Sequence, residues 1–198
     1  MPIKDNREYR SIAIEDFSTT DDEYVVEGYA TTFDVPYDFY DGIKECIRST
    51  ALDSADMSDV IFQYNHEGMV LARLRNGTLE LTRDNHGLKV RADLSGVDQG
   101  RSLYEAIKSG LVDRMSWAFT VSRDGWEYDS DNRISYINKI EKVYDVSAVS
   151  IPANQDTEIS ARSYFNGEIE QDKAEEIDHG DDDREERQRM ALRLMLAK

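Results

Sequence analysis

Along the first two-thirds of the chain, apolar and polar positions alternate over short runs broken by turn residues, the pattern of half-buried β-strands. Residues 7–17 (REYRSIAIEDF) and 24–35 (YVVEGYATTFDV) read as strands, and Gly28 inside the second predicts a bulge or a close backbone approach. Residues 36–53 are polar and turn-rich, which predicts a long excursion. An apolar strand follows over 59–68 and turns polar at its end. In 78–94, Leu79 and Leu81 alternate on one arm and Leu88, Val90, Ala92 and Leu94 on the other. The link RDNHG, with Asn85 and Gly87 suited to positive φ, makes this a β-hairpin. Helical spacing occurs over 98–110, where Leu103, Ala106 and Ile107 share a face and Gly110 follows as a C′ residue. Alternation returns in 112–121 (VDRMSWAFTV), and 133–152 gives two more strands or one long bent one.

Composition then divides the chain. Its 198 residues suit one domain with appendages, and its net charge of −17 is unevenly spread. Residues 168–187 hold 11 acids against 3 bases, so a body over 1–160 is expected to carry a separate acidic tail over 161–198, disordered or partly helical. Such acidity repels a phosphate backbone, so nucleic acid is not an expected partner. No run approaches the length of a membrane span and no apolar leader opens the chain, which predicts a protein free of membrane. The one cysteine, Cys46, can form no internal disulfide and fits a reducing compartment.

Three residues interrupt the apolar pattern in ways that could carry chemistry. Alternation puts Arg114, Ser116, Ala118 and Thr120 on one face of their strand, opposite Met115, Trp117, Phe119 and Val121. That favours an accessible serine hydroxyl, although a strand serine with no role is equally regular. His66 stands at the end of the 59–68 strand, where an imidazole could project from the sheet rim; a structural histidine is the more ordinary reading. Asp145 sits among apolar neighbours, and a carboxylate so placed is either neutralised by a structural partner or used to orient an imidazole. His86 falls in the hairpin turn and His179 in the acidic tail, and neither has the spacing of a metal ligand pair. No metal and no cofactor is expected. A hydrolase using Cys46, in 43–49 (IKECIRS), is a weaker candidate, and a β-barrel binding module explains the strands without the chemistry.

The segments 27–35 (EGYATTFDV), 64–81 (YNHEGMVLARLRNGTLEL), 109–119 (SGLVDRMSWAF) and 145–154 (DVSAVSIPAN), in this order and spacing, resemble the prohead proteases of tailed bacteriophages, a family related in fold to herpesvirus assemblins. The resemblance implies a mainly β fold with flanking helices (α+β), a herpesvirus-protease-like β-barrel. It also implies a serine endopeptidase with Ser116 as nucleophile and His66 as general base. Asp145 matches the acidic position before the closing Val-Ser, with Glu141 as the alternative third member. Assemblins use a histidine there, and none occurs between Ser116 and Asn154. By the same resemblance the oxyanion hole falls to the backbone of Ala153 or Asn154; Arg123, just past the serine strand, is a further electrostatic candidate by its position. The implied substrates are the major capsid protein and its scaffolding segment, and the chain itself, inside a prohead assembling in the host cytoplasm; self-association stays open. A non-catalytic scaffold protein of the same fold is the rival reading.

Overall fold

A computed structural model describes residues 7–13, 18–20, 23–40 and 42–150. The elements run in the order β1 (Glu8–Ala13), β2 (Ser18–Thr19), β3 (Val25–Thr32), β4 (Tyr37–Tyr40), β5 (Ile43–Ile47), β6 (Ile61–Tyr64) and β7 (Glu67–Arg73). Then come β8 (Leu79–Arg83), β9 (Gly87–Asp93), the helix α1 (Asp98–Lys108), β10 (Arg114–Val121), β11 (Trp126–Asp129), β12 (Ile134–Ile137) and β13 (Ile140–Val149). They form three sheets, ordered β1-β10-β13-β6-β7, β11-β12-β5-β4 and β2-β3-β9-β8. The fold is thus mainly β, but among the described residues the sheets do not close into the expected barrel, and a single α-helix flanks them.

Local signals translate well where the contacts are local. The 78–94 hairpin forms with Leu79 opposite Ala92 and Leu81 opposite Val90. Its link works differently from expectation, since neither Asn85 nor Gly87 takes positive φ. Instead the Asp84 carboxylate accepts the amides of His86 and Gly87. Gly87 is needed for space, because a Cβ there would lie 2.0 Å from the Thr31 carbonyl oxygen. Helix α1 ends as read, with Gly110 at φ 74° just beyond its last turn, and it buries Leu103, Tyr104 and Ile107 in the core. The bulge in β3 falls at Ala30, between Tyr29 and Thr31, while Gly28 pairs regularly with Val90.

The stretch read as a polar excursion contains two strands instead. β5 pairs antiparallel with β4 and parallel with β12, and Ile43, Cys46 and Ile47 are buried. The misleading residue is Glu45, a charge on a strand that is nonetheless fully buried. Arg10 neutralises it from β1 through a two-pronged contact, Nε to Oε1 at 2.6 Å and Nη2 to Oε2 at 2.9 Å. The same guanidinium donates to Glu8 Oε2 at 3.1 Å and lies 4.4 Å from the Phe39 ring. The Tyr37 hydroxyl donates to Glu45 as well; burial first, then the neighbouring carboxylate, holds its proton on well above the usual range. This cluster joins the β1 edge of the five-stranded sheet to the four-stranded sheet holding β5.

Removing one member of a buried ion pair strands the other without a counter-charge, at a cost of about 3–5 kcal/mol. Arg10→Met is therefore expected to lower unfolding stability by that order in a denaturant titration. The triple variant Arg10→Met/Glu45→Met/Glu8→Met, which leaves no unpaired carboxylate in the cluster, should recover most of the loss, and a loss that stays additive would contradict this account.

Candidate active site

Strand β10 lies between β1 and β13, covered on both faces, so residues Met115 to Phe119 are all buried. Ser116 is fully buried too, which corrects the expectation of an accessible hydroxyl: the alternation is real, but its second face is covered as well. The pairing registers place Ser116 opposite Ser11 on β1 and Ser147 on β13, and Ala118 opposite Tyr9 and Asp145. Residues two apart on a strand point the same way, so Ser116, Asp145 and Ser147 share one face.

His66 reaches that face from the tip of the β6–β7 hairpin. Its two-residue turn, Asn65-His66, has φ of 53° and 60°, the pair of positive angles a type I′ turn demands. Asparagine suits this conformation, and histidine takes it more readily than bulkier residues do. Asn65 secures the tip: its amide donates to the Ala148 carbonyl at 2.9 Å, and its side-chain oxygen accepts the Ser150 amide at 3.2 Å. The Tyr64 hydroxyl adds a hydrogen bond to Ser150 Oγ. The Tyr9 ring packs edge-on against the imidazole with centroids 4.8 Å apart.

The outcome is a continuous series. His66 Nε2 lies 2.7 Å from Ser116 Oγ, and His66 Nδ1 lies 2.5 Å from Asp145 Oδ1. With Nδ1–H donating to the carboxylate, Nε2 is left as an acceptor for the serine proton. Ser116 Oγ also lies 2.9 Å from the Arg10 carbonyl oxygen, so its one proton has two acceptors. When the imidazole is protonated, Nε2–H donates to Oγ and the hydroxyl turns to Arg10. When the imidazole is neutral, the hydroxyl can donate to it. Asp145, buried, accepts a second bond from Ser147 Oγ at 2.9 Å. Ser147 went unremarked in the sequence, although its place two residues after Asp145 on one strand was the signal that could have found it.

The other expected residues fall elsewhere. Glu141, four residues before Asp145 on β13, is exposed, and its carbonyl accepts the amide of Asp56. Arg123 is exposed in the turn beyond the far end of β10, seven residues from Ser116 and so on the order of 20 Å away along the strand. It cannot serve an oxyanion at Ser116. Ala153 and Asn154 lie outside the described residues. Cys46 is buried on β5, and burial pushes its thiol pKa up, the opposite of what an activated thiolate requires.

A buried hydroxyl, imidazole and carboxylate joined in hydrogen-bonded series on a β-sheet framework define the arrangement of a serine hydrolase. The comparison with protein families narrows the class: residues 10–171 match the model of the caudovirus prohead serine protease, and the chain belongs to that family. It is thus a serine protease of phage prohead and capsid maturation. Neither the comparison with curated proteins nor that with solved structures gives a match.

A hydrogen bond to a carboxylate contributes about 1.5–3 kcal/mol. Ser147→Ala should therefore lower kcat roughly ten-fold through a less well held Asp145, with KM within about two-fold of wild type. Ser147→Thr, which keeps the hydroxyl, should restore most of it. Steady-state kinetics on a cleavable peptide would decide, and an unchanged kcat in Ser147→Ala would remove Ser147 from the site.

Proposed function

We propose that the chain is a serine endopeptidase in which Ser116 attacks the peptide carbonyl, His66 moves the proton and Asp145 holds and stabilises the imidazole. The observation that carries this reading is the unbroken series from Ser116 Oγ through His66 to Asp145 Oδ1. In the first step Oγ bonds to the carbonyl carbon while its proton passes to Nε2. The imidazolium then gives that proton to the leaving amine, and the C–N bond breaks to leave an acyl-enzyme. Water repeats the sequence, losing a proton to Nε2 and releasing the new carboxylate and Ser116. General base help of this kind contributes roughly 10²–10⁴ in rate.

The oxyanion needs donors, and the proposal assigns them to the backbone of Ala153 or Asn154, since Pro152 has no amide hydrogen. In support, the chain leaves β13 beside the catalytic turn, where Ser150 bonds Asn65 and Tyr64. The proposal further takes residues 1–160 as the catalytic domain and the acidic 161–198 as a tail. Its substrates are the major capsid protein with its scaffolding segment, and the chain itself, inside the prohead in the host cytoplasm.

Two measurements test this reading. Intact mass over time is expected to fall in wild type and to hold in Ser116→Ala, with Asp145→Asn slowed by a factor on the order of 10²–10⁴. When capsid protein is supplied, cleavage should likewise require Ser116; equal shortening of wild type and Ser116→Ala would assign the cut to another protease. Iodoacetamide should leave the activity intact, because Cys46 is buried with a raised pKa.

A further inference from the structure

Beside the hairpin that carries His66 lies a cavity of about 590 Å³, within the size range of ligand pockets. It opens between the first half of β7 and helix α1, and its walls include Tyr64, Met69, Leu71, Leu103, Ala106 and Val112. Leu71, Leu103 and Val112 form its buried floor. Met69 is 51% exposed and Val70 36% exposed on the adjoining strand, more apolar surface than a strand facing only water needs. The fold and the triad chemistry leave this cavity without a role.

Its position relative to the site is specific. Tyr64 and Glu67, both on its wall, flank the Asn65-His66 turn directly. Val112 enters the wall from the other side, four residues before Ser116, a distance of at most about 13 Å along an extended chain. A peptide whose carbonyl sits at Ser116 could therefore place in the cavity a side chain two to four residues from the bond being cut. The route for such a peptide is also present. Among the described residues β7 is the last strand of its sheet, paired with β6 on one side, and its first half bulges away from β6, with Tyr64 opposite Glu67 but Phe62 opposite Ala72. An edge of this kind accepts an added strand through main-chain hydrogen bonds, and pockets along it then select alternate side chains.

We propose that the cavity between β7 and α1 is a specificity subsite of the protease, taking a large apolar side chain of a substrate segment that docks as an added strand on β7. This rests on the reading of Ser116 as the nucleophile. Charge at the mouth extends the preference. Asp98, in the first turn of α1, is paired with Arg101 one turn on, whereas Glu67 stands on the strand that the substrate would follow. The subsite therefore favours a basic over an acidic residue next to the apolar anchor.

The test combines two readouts on the full-length protein: covalent labelling of Ser116 by a small fluorophosphonate, and cleavage of an equimolar decapeptide library. Wild type is expected to label, and to select Leu, Met, Phe or Tyr at one position two to four residues from the cut. Ala106→Phe, which fills the cavity, should label within two-fold of wild type yet lose that selection about ten-fold or more through KM. Ser102→Trp, at an exposed position on the same wall, should do the same and guards against a misfolded Ala106 variant. Glu67→Lys should reverse the charge preference. Normal labelling with unchanged selection in Ala106→Phe and Ser102→Trp would overturn the subsite while leaving the nucleophile in place. No labelling and no cleavage by wild type would overturn the nucleophile, and the subsite with it.

Discussion

Strand β13 is hydrogen-bonded to β10 on one side and to β6 on the other, and its register against each decides whether there is a site at all. Side chains on a strand alternate between faces, so a slip of one residue against β10 would turn Ser116 away from Asp145 and Ser147. The parallel pairing with β6 sets Ala148 beside Tyr64, which brings the hairpin tip level with the Ser116–Ser147 pair. The distances around the imidazole, 2.7 Å and 2.5 Å, are thus the result of two strand registers and one two-residue turn. Two register shifts leave an extra residue on β13, Tyr144 and Glu141, so the regular pairing of β13 with β10 that holds Asp145 and Ser147 in place begins directly after the first of these bulges.

The Arg10 cluster supports this arrangement from the opposite face of the sheet. Its guanidinium is buried with Glu45 and Glu8, while its carbonyl accepts from Ser116 Oγ. A buried ion pair is weak grounds for high stability, because desolvation of both charges offsets much of their attraction. What it does supply here is geometry. An arginine two-pronged on Glu45 fixes where β1 lies along β10, and so where an acceptor sits for the serine proton. One residue thereby serves the seam between two sheets through its side chain and the site through its main chain.

How much of this could be read from the chain follows the range of the contacts involved. The 78–94 hairpin and helix α1 depend on neighbours a few residues away, and both were legible. Strands β4 and β5 were not, because Lys44 and Glu45 break the apolar pattern and the partner of Glu45 lies 35 residues away. The hairpin turn was hidden for a related reason: its second residue is histidine where the usual signal is glycine, so 59–68 read as one strand with a polar end. Ser116, His66 and Asp145 each stood out only as a weak anomaly, and the segment motifs made them a set. The covered state of Ser116 needed the sheet itself, whereas Ser147, two residues after Asp145 on the same strand, was within reach of the alternation pattern. The barrel expectation came from kinship rather than from residues, and the three observed sheets replace it among the described residues.

The left-handed backbone at His66 bears on how such chains diverge. Glycine would relax that turn, and stability alone would draw position 66 toward it. The role proposed for the imidazole is what would oppose the drift. In relatives that keep the fold but have lost the reaction, the tip of this hairpin is where the loss would surface first, as an Asn-Gly dipeptide that improves the scaffold by abandoning its purpose.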